Sequence, residues 1–198
     1  MKYLKLDLEG GEFIFRAREY SIDEDMRQEW CLIDLVSQID TADDHTDMTG
    51  SRVSSKIDIR IENDESLTCS ELCRLEETID EALSGKMTEE KTISPMEPYM
   101  QFVISPITPM DGLPMPCLQW RLYVWHEDSP TEQYFSICLA GDDLEKMSLY
   151  LKYLRGAIDE SDSGLQDCLT ENVKFALQGN NIKSHRDATN MLRETLDR

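Results

Sequence analysis

Through the first third of the chain, apolar and polar positions alternate with a period of two. That is the spacing of side chains on opposite faces of a β-strand. "KYLKLDL" alternates and runs into an "EGG" turn, after which "EFIFRAREY" sets Phe13, Phe15 and Ala17 on one face and Ile14, Arg16 and Arg18 on the other. "EWCLIDLVSQI" is apolar on both faces in its first half, as a central strand is. In "SRVSSKIDIRI", Val53, Ile57, Ile59 and Ile61 share a face with Ser55, while Arg52, Ser54, Lys56, Asp58 and Arg60 share the other.

The period then changes. In "LTCSELCRLEETIDEALSG", Leu72, Leu75, Ile79 and Leu83 recur at steps of three and four, one stripe of an amphipathic helix. Thr68 and Glu71 have the spacing of a capping box, in which each side chain satisfies a free backbone amide of the first turn, and Gly85 stands where the helix stops. Strand patterns resume at "YMQFVIS". They are broken by the proline-rich "PITPMDGLPMPC" and return in "LQWRLYVWHE", with Leu118, Trp120, Leu122 and Val124 on one face. "EQYFSICLAG" pairs with that strand across "DSPT" as a hairpin, and "DDLEKMSLYLKYLRGAI" forms a second amphipathic helix with Leu144, Met147, Leu151, Leu154 and Ile158 inward.

Beyond "DESDSG" the pattern weakens. "LQDCLTENVKFALQGN" reads as a helix, with a strand over Val173, Phe175 and Leu177 as the alternative for its second half, and "SHRDATNMLRETLDR" reads as a helix capped by Ser184. The resulting expectation is an α+β fold: an antiparallel-rich β-sheet with two amphipathic helices packed on it over residues 1–160, and a helical C-terminal extension over 161–198.

Composition adds the charge. Asp and Glu number 40 against 20 Lys and Arg, a formal net charge of −20. Such a surface is repelled by phosphate backbones and by anionic lipid headgroups, so neither nucleic acid nor a membrane is the expected partner. It attracts and steers basic proteins. No signal peptide or membrane span is read from the sequence, and the six cysteines sit dispersed in apolar contexts, so reduced thiols in the cytoplasm are expected.

The acids are concentrated before residue 91. "IDTADDHTDM" holds Asp40, Asp43, Asp44 and Asp47 around His45, and the following acid-rich segment adds Glu62, Asp64 and Glu65. The first cluster lacks the alternating carboxylates, central glycine and terminal glutamate of a calcium loop, so it reads as part of an electrostatic face for a basic partner, or as a solvated connection. Cys69 and Cys73 share a helix side, but no second Cys or His pair completes a zinc site, and no metal or cofactor is expected. No nucleophile elbow, P-loop, zinc-protease or dinucleotide motif is present. The alternative site for a small molecule or an enzyme is the polar and aromatic face of the "LQWRLYVWHE" strand: Arg121, Tyr123, Trp125 and His126.

The layout also resembles a known family. Trp30 opens an apolar strand ("EWCLIDLV"), and an L-x-x-L helix follows ("SELCRLEETIDEAL"). "SPMEPYMQF" then sets Glu97 and Pro98 ahead of a strand carrying Phe102, and "LAGDDLEKMSLYLKYL" leads from a hairpin into a helix. Over residues 1–160 this order is similar to the WapI family of bacterial immunity proteins; the tail and the proline-rich loop depart from it. The resemblance implies a cytoplasmic, non-catalytic protein that binds and neutralises a toxin domain, and it implies no particular functional residues. Read on its own, Pro98 lacks an amide hydrogen and holds Glu97 extended at a strand start, which points to a structural role for that acid.

Overall fold

The computed structural model describes residues 2–8, 11–23, 28–41, 55–97, 99–107, 115–126 and 129–171. The fold is α+β. A five-stranded antiparallel sheet contains β1 (Tyr3–Leu8), β2 (Gly11–Asp23), β3 (Gln28–Thr41), β4 (Ser55–Thr68) and β9 (Leu169–Thr170) in the order β4-β3-β2-β1-β9. A second antiparallel sheet holds β5 (Lys91–Ile93), β6 (Met100–Ser105), β7 (Cys117–His126) and β8 (Ser129–Ala140) in sequence order. Among the described residues the alternating patterns are therefore strands, divided between two sheets; Arg52, Val53 and Ser54 lie outside the described residues.

Register explains the core. Partners across a ladder share a face. In the first sheet Leu4 stands opposite Phe15, Phe15 opposite Leu35, and Leu35 opposite Ile61, and all four are buried. In the second sheet the corresponding row is Ile93, Phe102, Trp120 and Ile137, also buried. The two rows meet through aromatic rings. The Trp120 ring lies 5.0 Å from that of Phe15, 5.8 Å from Phe13 and 4.9 Å from Phe102, tilted or edge-on in each case. Such geometries set the positive ring edge against a negative face.

Helix α1 (Cys69–Leu83) contacts β3 and β4 of the first sheet and β5 and β6 of the second. Helix α2 (Asp142–Leu154) contacts β1 and β8, and so also touches both sheets. Each helix turns its apolar stripe inward: Leu72, Leu75 and Ile79 from α1, and Leu144, Met147 and Leu151 from α2, are buried, with Leu83, Leu154 and Ile158 packed at the margin. Tyr150 of α2 places its ring 6.0 Å from Phe15 and donates a 2.8 Å hydrogen bond to the Lys2 carbonyl.

The capping box forms as its spacing requires. Thr68 Oγ1 accepts from the Glu71 amide, and Glu71 Oε2 accepts from the Thr68 amide at 2.8 Å. The same carboxylate accepts a second hydrogen bond through Oε1, from the Met96 amide at 2.7 Å. Glu71 therefore fixes both the start of α1 and the segment that leads into β6. Gly85, with φ of +71°, adopts the left-handed conformation that ends the helix.

From Arg155 to Glu171 the chain stays tied to this body. Helix α3 (Ser163–Gln166) buries Leu165, Cys168 follows in the core, and β9 pairs with β1. The helical reading of the stretch beginning at Leu165 is thus corrected at Leu169–Thr170, which form a strand: the free edge of β1 offers unpaired backbone groups there, and they outweigh a weak helical stripe. The remainder of the expected C-terminal helix, from residue 172 onward, lies outside the described residues. Among the described residues no helix is long and apolar enough to cross a membrane.

An ion pair ties the buried Glu76 of α1 to the partly exposed Arg155 that caps α2. The Glu76 carboxylate is 3% exposed; it accepts a 2.6 Å hydrogen bond from Arg155 Nη2, while Arg155 Nε lies 2.6 Å from its second oxygen in ionic contact. Two substitutions test these features. Trp120→Ala empties the junction between the sheets and should cost about 3–5 kcal/mol in denaturant unfolding. Arg155→Ala should cost about 2–3 kcal/mol by leaving a buried carboxylate uncompensated, and Glu76→Gln in the same chain should restore much of that loss.

Candidate functional site

Among the described residues, two surface depressions gather polar side chains from different elements. The larger, about 730 Å³, lies between the outer faces of α1 and α2. Helix α1 contributes Glu77, Asp80 and Glu81 to it, and α2 contributes Glu145, Ser148 and Lys152. Residues three or four apart face the same side of a helix, so each helix presents its polar stripe to the groove while its apolar stripe faces the core. Asp80 accepts from Lys152 Nζ at 2.8 Å and from Ser148 Oγ at 2.5 Å, and Glu81 is held by Lys91 Nζ at 2.5 Å. Glu77 and Glu145 are exposed and make no ion pair among the described residues. The groove thus has four carboxylates and two lysines, Lys86 and Lys152, on its walls.

The smaller depression, about 290 Å³, sits where the end of the first sheet meets the start of the second. It is lined by Trp30, Asp64, Ser66, Glu97 and Tyr99. Trp30 stands on β3 opposite Thr68. Between Leu35↔Ile61 and Cys31↔Leu67 the ladder shifts register twice, and each shift adds one residue to β4. Such bulges re-aim side chains, and here they place Asp64 opposite Ile33 and bring Asp64 and Ser66 to the cleft. Glu97 and Tyr99 come from the connection between β5 and β6 that Glu71 anchors at Met96, and the Tyr99 carbonyl accepts from the Tyr123 amide at 3.0 Å.

The residues singled out by sequence are distributed unevenly over these features. Asp64 lines the cleft. Asp40, Glu62 and Glu65 belong to β3 and β4 by their backbones, so the acid-rich stretch after Ile61 continues the strand to Thr68 rather than leaving it; their side chains lie outside the described residues. Asp43, Asp44 and Asp47 lie wholly outside them. The face around Arg121 is occupied by its own neighbours. Arg121 donates to Gln119 Oε1 at 2.7 Å and stacks 4.8 Å above the Tyr134 ring, and the Tyr123 hydroxyl donates to Gln101 at 3.0 Å. Trp125 and His126 continue that strand, with side chains outside the described residues.

Sequence reasoning gave Glu97 a structural role and assigned none to Ser66 or Tyr99. No local spacing relates these positions, because the cleft is assembled from three separate segments. Among the described residues no three His, Cys, Asp or Glu side chains converge closely enough to hold a metal ion. No family model, no curated protein and no solved structure matches this chain.

None of the six cysteines is in a disulfide. Cys138 of β8 is exposed, and its interaction with the neighbouring Cys117 thiol favours its thiolate, so its pKa is brought down to about 7. The same interaction with Cys138, and then burial, push Cys117 up. Since the thiolate is the reactive form and is populated above the pKa, iodoacetamide should label Cys138 first, at a rate rising through pH 7. Cys117→Ala should move that midpoint upward toward the ordinary thiol range, as read by mass spectrometry of the labelled peptides.

Proposed function

We propose that this protein is a non-catalytic acidic binding protein of the bacterial immunity type, which sequesters a basic toxin domain. The observation that carries this reading is the groove between α1 and α2. It is broad and open, it is walled by more carboxylates than lysines, and two of its acids, Glu77 and Glu145, have no ion-pair partner among the described residues to give up on binding. An uncompensated carboxylate costs little to expose, but it attracts a cation across a Debye length of about 8–10 Å. The rest of a chain with net charge −20 adds to the same field, which speeds encounter with a basic surface and disfavours acidic competitors. The resemblance of the sequence layout to the WapI family points to the same class of function.

The competing small-molecule reading on β7 is less favoured. The polar groups of Arg121 and Tyr123 are already satisfied by Gln101, Gln119 and Tyr134, and a ligand would have to break those contacts.

The test is affinity capture from the native cell by the immobilised wild-type chain, beside the Glu77→Gln, Glu145→Gln double variant. Both substitutions are exposed, so the melting temperature should hardly change. The wild type should retain a protein with a basic domain, and co-expression should relieve that domain's toxicity. The double variant should bind it about 3–10-fold more weakly at low salt, and the difference should shrink as salt rises. Retention of the same proteins by both forms at every salt concentration would exclude the groove as the binding face.

A further inference from the structure

We propose that the cleft of Trp30, Asp64, Ser66, Glu97 and Tyr99 is a receptor for one alkyl guanidinium group, the arginine side chain that the basic partner inserts as its anchor. This inference rests on the reading that the partner is a basic protein, and it names a second contact, separate from the helix groove.

Size limits the occupant first. Small-molecule pockets usually run from about 300 to 1,000 Å³, and this one, at about 290 Å³, lies at the lower end. It suits a single side chain better than a nucleotide or an extended cofactor.

Charge limits it next. Asp64 and Glu97 reach the cleft from different segments, both half-buried, and neither forms an ion pair or hydrogen bond among the described residues. Elsewhere the two most deeply buried carboxylates are paired: Asp34 is held by Arg16, and Glu76 by Arg155. Two partly covered anions left unpaired in one cleft favour a cation from outside. Ser66 points independently to a ligand. Its side chain is 1% exposed, it lines the cleft, and its Oγ has no hydrogen-bond partner among the described residues. An unmet buried hydroxyl costs about 1–3 kcal/mol, and it can accept from a ligand N–H.

The aromatic pair decides which cation. Trp is the strongest cation–π partner among the side chains, and Trp30 and Tyr99 supply two rings in the same cleft as the two carboxylates. A guanidinium is planar, is weakly hydrated and offers five donors, so it can stack on a ring while its edge bonds carboxylates and a hydroxyl. A metal ion would use the oxygens and leave the rings idle, and the described residues contain no metal-ligating cluster here. The cleft is also fixed in advance. Glu71 holds the Met96 amide next to Glu97, and it holds the Thr68 amide opposite Trp30. Little ordering cost is left for the moment of binding.

The experiment is a calorimetric titration of the full chain with N-acetyl-arginine amide, its neutral isostere N-acetyl-citrulline amide, and calcium chloride. The arginine probe should bind saturably in the millimolar range and shift the Trp30 indole resonance. Citrulline amide should not bind. Glu97→Gln and Asp64→Asn should each weaken the arginine probe at least 10-fold, with folding checked by thermal melts. Equal binding of citrulline amide, absence of saturation, or calcium binding that displaces the arginine probe would each overturn the proposal, and all three are read on the wild-type chain. With the captured partner, Glu97→Gln should weaken binding and excess N-acetyl-arginine amide should compete. A partner that binds Glu97→Gln as tightly as wild type would overturn the anchor while leaving the protein-binding reading intact. Failure of the wild type to capture any basic partner would overturn that reading, and with it the partner's arginine as occupant, even where the arginine probe still saturates the cleft.

Discussion

The packing of Trp120 against Phe13, Phe15 and Phe102 is the contact on which the rest of the fold depends. Neither sheet can bury its inner face alone. The first has its apolar rows on β1 to β4 and the second on β5 to β8, and one indole touches both. The indole carries a cost, because its Nε1 is buried with no acceptor among the described residues, worth about 1–3 kcal/mol. Aromatic burial outweighs that cost, since a ring of this size removes roughly 150–250 Å² from water at about 25 cal/mol per Å². With the sheets joined in this way, α1 and α2 can each rest on both, and their polar stripes are left facing one another across the groove.

The acidic character of the chain divides into two populations. Asp34 with Arg16, and Glu76 with Arg155, are paired and serve the fold. Glu77 and Glu145 stand exposed and make no ion pair among the described residues. Exposed carboxylates add little stability, so their number is set by solubility or by a partner rather than by folding. The groove and the cleft differ in the same sense. Charge in the groove is open to solvent and acts at a distance; charge in the cleft is partly covered and beside aromatic rings, so it acts only on contact.

Glu71 connects local structure to that cleft. As a capping residue it satisfies a free amide at the start of α1, and its second oxygen fixes the segment bearing Glu97. The β4 bulges do comparable work from the other side by delivering Asp64 and Ser66. A helix cap and two strand irregularities, ordinary devices of folding, thus assemble a cleft from residues 30, 64, 66, 97 and 99.

Much of this was legible in the chain itself. The inward faces of β2, β7, α1 and α2 followed from periods of two and of three to four, and Phe13, Trp120, Leu75 and Met147 are buried as those periods require. The Thr68–Glu71 cap was legible for the same reason: its two partners lie within one helical turn. What the sequence determined was therefore everything whose cause lies within a few residues. Only the tertiary structure decided how the strands divide into two sheets, that Leu169–Thr170 closes the β1 edge, that β4 runs on through its acids, and that Trp30 meets Glu97. Each of these joins positions far apart in the chain, and alternation shows which face of a strand is apolar without showing which other face will cover it.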